Sequence, residues 1–267
     1  MILFGRYLND PEYVFQPTRY RNPQLKVTFN KAAIRTAAGD GFATGDNIKL
    51  SVVDHIIQEG ATPRGFLSAK QAYSYTTGSS GDKRIDLLTD YPTRLLLIRA
   101  WLQGYDIDEL FTDAKLTFDS DKYILLNRKV KQLDTLALNM FGTGSLKHDM
   151  FFGHGDSIRL IFNKEPFALV YAQTPGTPRM FNLTAQWSSL LSEVEVYAHD
   201  GSLDTTDRKV TCWEHGHAPH ATLPIVMGEL MKPETWMDMK GYAKAELVVS
   251  QAVGSAVGEI VQEQVRT

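Results

Sequence analysis

Residues 93–142 read TRLLLIRAWLQGYDIDELFTDAKLTFDSDKYILLNRKVKQLDTLALNMFG. The stretch opens with a largely apolar run, residues 95–101, which lies between a proline at position 92 and a glycine at position 104. A short apolar run between such residues is typical of a strand in the interior of a sheet. Residues 115–119 then alternate polar and apolar, which predicts a strand with one buried face. The stretch therefore predicts two strands close together, and it contains no catalytic triplet.

The second half of this stretch predicts a turn, a further apolar run and a helix. Asp119-Ser120-Asp121 is a turn cluster, and residues 123–126 are apolar. The acidic residues at 106–109 are expected to form a polar connector between the two strands. After residue 129 apolar side chains recur at spacings of three and four, which predicts a short amphipathic helix that ends at Gly142: Val130, Leu133, Leu136, Ala137 and Met140.

The order of these elements resembles part of a jelly-roll domain in the major capsid proteins of tailless bacteriophages with an internal membrane, the lineage that includes the adenovirus hexon. In that family a strand that ends near Arg-x-Trp/Tyr-x-x-Gly leads through a short polar loop to a strand that ends in an Asp/Asn-Gly/Ser-Asp/Lys turn, and a helix follows. Residues 95–104, 114–121 and 131–140 match this pattern. Residues 13–30, YVFQPTRYRNPQLKVTFN, are similar to a second stretch of the family, where a Tyr/Phe-Arg-Asn cluster precedes a long strand.

The resemblance implies an all-β fold. The expected architecture is a jelly-roll β-sandwich with short helices, either a double jelly roll or one full roll plus a β-rich N-terminal extension. The expected division of the chain is an N-terminal arm and β-rich segment at 1–91, which is a short first roll in the double form, and a jelly-roll domain at 92–267. The segment GSSGD at 78–82 is the best linker candidate.

The same resemblance implies a viral structural protein and not an enzyme. The expected function is that of a major capsid subunit, which assembles with copies of itself into trimeric or pseudo-hexameric capsomers of an icosahedral shell. Its expected partners are itself, other capsid proteins, and an internal membrane or genome at the inner face, without sequence-specific nucleic-acid binding. The expected location is the virion capsid, after synthesis in the host cytoplasm. No catalytic residue and no cofactor are expected.

Composition limits the function classes. The 267 residues carry a net charge of −3, which argues against a nucleic-acid binder driven by a global basic field. Hydrophobic residues make up 43% and charged residues 22%, as in folded soluble proteins. No segment approaches the ~20 consecutive apolar residues of a membrane-spanning helix, and the N-terminus lacks the pattern of a secretory signal. The single cysteine, Cys212, cannot form an intrachain disulfide.

The N-terminal third predicts an arm followed by a hairpin. Residues 1–23 contain three prolines and several aromatic residues, so they are expected to form an extended arm rather than a helix. Alternation at 24–34 and 48–52 predicts two strands of a hairpin around the glycine-rich loop 37–46. This loop lacks the Gly-Lys-Ser/Thr of a phosphate-binding loop. Residues 59–82 are expected to form a long loop with one short strand at 72–76.

The C-terminal half predicts more short strands. Alternating or apolar runs lie at 157–163, 193–197, 245–249 and 260–265, and residues 223–231 fit either a strand or a short helix. Many short strands with frequent turn signals indicate a sandwich or jelly roll. Regular alternation of strands and helices is missing, which disfavours a Rossmann fold or an α/β barrel.

One cluster supports an alternative function. The sequence WEHGHAPH contains His215, His217 and His220, and two histidines separated by one residue on a strand point to the same face, as metal ligands do. The cluster resembles the first half of a cupin motif, so the alternative is a cupin-like metal-binding β-sandwich enzyme. The cupin pattern places a glutamate shortly after the second histidine, whereas position 222 is Thr222 and Glu229 lies too far along.

A further alternative is a carbohydrate-binding sandwich. Stacking on sugars would use exposed indole rings, and the chain has four candidates: Trp101, Trp187, Trp213 and Trp236.

Overall fold

The computed structural model describes residues 3–28, 50–102, 105–142 and 222–267 with their side chains. Between 143 and 221 it describes strand backbone only. Two α-helices lie in the described residues, α1 (Ile107–Leu110) and α2 (Val130–Phe141), together with two short 3-10 helices, Pro17–Arg19 and Pro233–Thr235. The strands are β1 (Phe66–Thr76), β2 (Gly81–Asp86), β3 (Thr93–Trp101), β4 (Phe111–Phe118), β5 (Tyr123–Lys129), β6 (Gly144–Phe152), β7 (Ile158–Ile161), β8 (Lys164–Glu165), β9 (Phe181–Ser188), β10 (Leu191–Val196), β11 (Arg208–Gly216), β12 (Ala218–Pro219), β13 (Thr222–Val226), β14 (Ala245–Gln251) and β15 (Val257–Arg266).

The chain is mostly β-strand with few helices, and the best-described strands form two antiparallel sheets. The first sheet has the order β1-β15-β3-β13, and the second has the order β2-β14-β4-β5. Between β5 and β13, β10 pairs with β7 and β9, β11 pairs with β6, and β12 pairs with β8. The prediction of an all-β fold is therefore confirmed at this level. Among the described residues, the helices are too short or too polar to cross a membrane.

The eight strands of the two sheets pair in a nested order. The first of them, β1, pairs with the last, β15, and the second, β2, pairs with β14. The third, β3, pairs with β13, and the two central strands, β4 and β5, pair with each other. Each pair is therefore enclosed in sequence by the previous one, as in one long hairpin folded over onto itself.

Side chains from both sheets meet in one apolar core. Leu96 and Ile98 on β3 and Leu247 and Val249 on β14 are at most 1% exposed and belong to the same cluster of buried residues. These positions alternate along their strands, so one face of each strand is directed to this core. Full burial of such a side chain contributes about 1.5–3 kcal/mol. The hydrophobic pattern of these strands thus determines which face of each sheet is inward.

The strands and the helix predicted from residues 93–142 are confirmed. β3 and β4 cover the two predicted strands, and β5 covers the following apolar run. α2 begins at Val130 and buries Val130, Leu133 and Ala137. It ends at Gly142, whose φ of 67° suits a glycine C-cap. The predicted acidic connector is instead the single turn α1, where the Asp106 backbone N–H donates to Glu109 Oε2 at 2.8 Å.

Other predictions differ from the structure. The hairpin expected at 24–34 and 48–52 does not form in its described parts, because residues 24–28 and 50–52 are exposed and carry no strand. Its loop, 37–46, lies outside the described residues. The short strand expected at 72–76 is the C-terminal part of the 11-residue β1, which begins at Phe66. Residues 223–231 contain a strand, β13, and not a helix.

The structure divides the chain at residue 67. One unit is Met1–Leu67 with Arg266–Thr267, and the other is Ser68–Val265. The division expected at residue 91 separates β1 and β2 from the strands with which they pair, β15 and β14. Both strands lie at sheet edges, and the boundary expected at residue 91 remains a prediction.

The turn between β4 and β5 has unusual backbone geometry. Asp119, Ser120 and Asp121 have φ values of 50°, 57° and 71°. The Asp119 carboxylate holds the turn, since its Oδ1 accepts the backbone N–H of Ala243 at 2.8 Å. A left-handed conformation costs a non-glycine residue about 1–2 kcal/mol.

Replacing Ser120 by glycine is therefore expected to raise the free energy of unfolding by about 1 kcal/mol. Ser120→Ala is the control, because it removes the hydroxyl but keeps the Cβ atom. Chemical denaturation of both variants measures the difference. A Ser120→Gly variant less stable than Ser120→Ala would contradict the left-handed geometry of this turn.

Candidate assembly surfaces

The outer face of the second sheet is polar. Asp121 contacts Lys115 at 2.7 Å and Arg84 at 3.3 Å, and Arg84 also lies 3.7 Å from Glu246. The hydrogen bond from Lys115, with further ones from Thr117 and Arg84, lowers the pKa of Asp121 to about 2. The outer face of the second sheet therefore carries charged side chains, which are compatible with contact with water.

The outer face of the first sheet is more apolar. On β3, Leu95 and Leu97 alternate with buried residues and so point away from the core, whereas Trp101 at the end of the strand packs against the core. Val261 of β15 pairs with Leu97 and points the same way. An ion pair of 2.5 Å between Arg99 and Glu259 interrupts these apolar side chains. The two sheets thus differ in the chemistry that they present outward.

Strand β5 exposes apolar side chains at the edge of the second sheet. Tyr123, Ile124 and Leu125 are all about half exposed, with Ile124 and Leu125 at 53% each. Leu116 pairs with Leu126 and Thr117 pairs with Ile124, so Leu125 is the extra residue of a bulge. In the described part of the chain β5 is the last strand of its sheet. We call these three residues the edge patch.

The helix that follows adds a second group of exposed apolar residues. Leu136, Met140 and Phe141 of α2 are 41–56% exposed, on a helix whose other side is buried. We call these three the helix ridge. A soluble monomer rarely keeps a large contiguous apolar patch in contact with water, and such patches mark interaction sites. Because α2 begins directly after β5, the edge patch and the helix ridge are close in the chain.

The N-terminal unit is held together by an ionic cluster. Although burial opposes ionisation, hydrogen bonds from Arg6 and from the backbone of Glu12 and Tyr13 lower the pKa of Asp10 to about 2. Arg6 Nε donates to Asp10 Oδ2 at 2.7 Å, and a second guanidinium nitrogen of Arg6 lies 2.8 Å from Glu12. The predicted arm thus has a folded part of its own.

An aromatic cluster accompanies these ionic contacts. Phe15 stacks on Phe4 and on Tyr20, each with 5.1 Å between ring centroids, and its edge meets Phe66 at 5.4 Å. Phe4 and Tyr20 remain more than 40% exposed. The aromatic residues that suggested anchors in the sequence therefore anchor this unit and leave ring surface in water.

Residues 50–58 of the same unit are exposed except for Ile57, which is half-buried. They read LSVVDHIIQ and carry no strand or helix. Val53 is 78% exposed and Ile56 is 79% exposed, and Leu50 and Val52 are exposed by more than half. We call this stretch the arm segment. β-branched residues at this density are typical of strands, which usually pack against a neighbour.

The structure does not bring the predicted histidine ligands together as a described site. His215 lies on β11 and pairs with Ser145 of β6. His217 and His220 lie outside the described residues. Within the ranges that have described side chains, no group of three or more histidine, cysteine or acidic residues is placed to bind a metal. The histidine cluster therefore remains a prediction.

The four tryptophans that suggested sugar stacking also lie partly within and partly outside the residues with described side chains. Trp236 is 5% exposed, and its Nε1 donates to the Glu229 carbonyl at 2.9 Å. It is a core residue and not a stacking platform. Trp101 is half-buried on β3. Trp187 and Trp213 lie on β9 and β11, whose side chains are outside the described ranges.

One acidic side chain has a raised pKa. Burial, followed by the negative charges of Asp108 and Asp106, raises the pKa of Asp134 on α2 to about 6. The folded state therefore binds this proton more tightly than the unfolded state, and ionised Asp134 opposes folding at neutral pH.

Asp134→Asn is therefore expected to raise the free energy of unfolding at pH 7 by about 1 kcal/mol. The gain should shrink as the pH falls from about 6 to about 4, where the native carboxyl takes up its proton. Asp90→Asn, at an exposed position, is the control. Denaturation curves across this pH range measure the effect, and a gain independent of pH would contradict the assignment.

Comparison of the chain with protein-family models, with curated proteins and with solved structures gives no match.

Proposed function

We propose that this chain is the subunit of a viral shell, a major capsid protein built on a jelly roll that assembles with copies of itself. The nested pairing of the eight strands supports the fold. A jelly roll has eight strands in two sheets connected as two Greek keys, and it occurs in capsid proteins, lectins and cupins. Here the first strand pairs with the last and the central two pair with each other, as that architecture requires.

The observation that carries the function is the exposed apolar surface of the edge patch and helix ridge. The core beside them is tightly closed, with Leu116 and Phe111 fully buried. A chain that packs its interior this well but exposes six large apolar or aromatic residues on β5 and α2 fits a protein that buries them against another subunit. Self-association explains this surface more simply than catalysis does.

The interior of the sheets also favours a structural role. The core residues contributed by the described strands are mainly aliphatic or aromatic. In a cupin-like enzyme, metal ligands would be expected on the strands and directed inward. His215 lies on β11, which is not one of the eight nested strands. The cupin-like alternative is tested by metal analysis of the purified protein, where about one bound transition metal per chain would support it.

The proposed partners follow from the same function. The chain would form trimers or larger capsomers with itself and contact other capsid proteins in the virion. An internal membrane or the genome would lie at the inner face, without sequence-specific recognition. The polar outer face of the second sheet suits solvent, and the apolar outer face of the first sheet suits a further subunit contact.

Size-exclusion chromatography with light scattering tests the function. The purified chain is expected to elute as a trimer or larger assembly. A single monomeric species at concentrations of about 10–100 µM would contradict the proposal, since the permanent interfaces of a shell should be formed in that range.

A further inference from the structure

The arm segment and the edge patch are complementary surfaces on the same chain. We propose that the arm segment, residues 50–58 of one copy, joins the edge of the second sheet of another copy as an added strand beside β5. This inference rests on the proposed function, because it requires two copies to meet. It goes further by naming the two surfaces that make one of the contacts.

The backbone of both elements suits strand addition. β5 ends its sheet within the described residues, and an edge strand presents N–H and C=O groups that can pair with another chain. The arm segment carries no strand or helix of its own. A peptide that adds to a sheet edge as a strand gains main-chain hydrogen bonds along its length. The β-branched residues of the arm segment favour the extended conformation that strand addition requires.

The apolar side chains of the two elements match. The arm segment exposes Val53 and Ile56, among others, and the edge patch exposes Ile124 and Leu125. Neighbouring strands place opposite side chains within contact distance, and β-branched and aromatic pairs stabilise this arrangement. One interface would therefore cover the two groups of apolar residues that each copy exposes on these elements.

The charges are complementary as well. Asp54 lies within the arm segment, and Glu59 follows it. Lys122 precedes the edge patch and Arg128 follows Asn127 at the end of β5, whereas Lys129 is paired with Asp113 at 3.0 Å. An acidic arm beside a basic edge favours this pairing over the pairing of two arms or of two edges, where like charges would meet.

The arrangement determines the kind of assembly. The arm segment and the edge patch are different surfaces, so each copy donates one strand and accepts another. Such a head-to-tail contact closes into a ring when the rotation allows it and continues as an array when it does not. Both outcomes agree with trimeric capsomers or with a shell built from them.

Cross-linking between two tagged populations tests the contact. In a Cys212→Ser background, one population carries Val53→Cys and the other carries Leu125→Cys, and a short bis-maleimide joins them. The expected product is a cross-linked pair that contains both tags. The control acceptor is Asp86→Cys on β2, at the opposite edge of the same sheet. Tagged copies distinguish this contact from a link within one chain.

A second variant tests the energetics. Val53→Asp is expected to weaken assembly about tenfold or more, whereas Ser51→Asp in the same segment should change it little. Both positions are exposed, so thermal unfolding of the single subunit should be the same for the two variants.

The outcomes separate the two proposals. If the wild-type protein assembles but Val53→Cys links no better to Leu125→Cys than to Asp86→Cys, the arm contact is wrong and the proposed function stands. If Val53→Asp assembles like the wild type, the arm contact is likewise wrong. If the wild-type protein is monomeric, the proposed function and the arm contact both fail.

Discussion

Replacing Gln262 by leucine is expected to lower the free energy of unfolding by about 3 kcal/mol or more. Gln262 is fully buried on β15, and its amide makes three hydrogen bonds. Its Oε1 accepts the Leu88 N–H at 2.9 Å, and its Nε2 donates to the Leu88 carbonyl and to Thr93 Oγ1, each at 2.7 Å. Leucine has a similar size but removes the partner of the Leu88 N–H and of Thr93 Oγ1, while the Leu88 carbonyl keeps the hydrogen bond from Gln264 Nε2 at 3.2 Å. The loss follows because an unsatisfied buried group costs about 1–3 kcal/mol.

The matched control is Gln71→Leu. Gln71 lies on β1, is exposed, and donates to Glu259 at 3.2 Å. This change is expected to alter stability by no more than about 0.5 kcal/mol. Urea denaturation of both variants measures the difference. Equal losses would mean that the segment at residues 88–93 is not held by Gln262.

Replacing Leu125 by lysine is expected to prevent or strongly weaken assembly. Leu125 is the exposed bulge residue of the edge patch, and a lysine there adds charge beside Arg128 and removes apolar surface. An apolar anchor at the centre of an interface contributes about 2 kcal/mol or more, so assembly should weaken at least ~30-fold. Folding of the subunit should be unaffected, because the side chain is not part of the core.

Asn127→Lys provides the control on the same strand. It adds the same charge at an exposed position that is polar already. Light scattering as a function of concentration compares the two variants. If Leu125→Lys and Asn127→Lys assemble alike, the apolar character of the edge patch is irrelevant to assembly.

Local patterns predicted the elements that bury a regular face. β3 was predicted from its short apolar run, β4 from its apolar period of two residues, and α2 from apolar spacings of three and four. The glycine at 142 ends α2 because it has a positive φ, a property that its residue type reveals. These features depend on neighbours in the sequence and can be read from it.

Non-local features could not be read in this way. Alternation at 48–52 resembled a strand, but a strand needs a partner, and the described residues 50–52 have none assigned. The first half of the edge strand β1 was not predicted, and its pairing with β15 joins segments far apart in the chain. The sequence around Gln262 does not show that its side chain is buried, because its hydrogen-bond partner Leu88 lies far away in the chain. The nested order of the strands likewise depends on pairing between distant segments.

The exposure of the edge patch could not be predicted from the sequence either. In the sequence, residues 123–126 were identified only as a further apolar run. The structure instead places the edge patch at the end of a sheet, with a bulge that turns Leu125 outward. Sequence alone cannot distinguish an apolar residue in a core from an exposed one that contacts another subunit, because the same residue types serve in both places.

Electron microscopy of the purified, concentrated protein tests the central claim most directly. The account predicts capsomers or closed shells in which copies of one eight-stranded body contact each other through β5 and α2. Images of separate single subunits, with no ordered assembly under any condition in which the chain is folded, would contradict it.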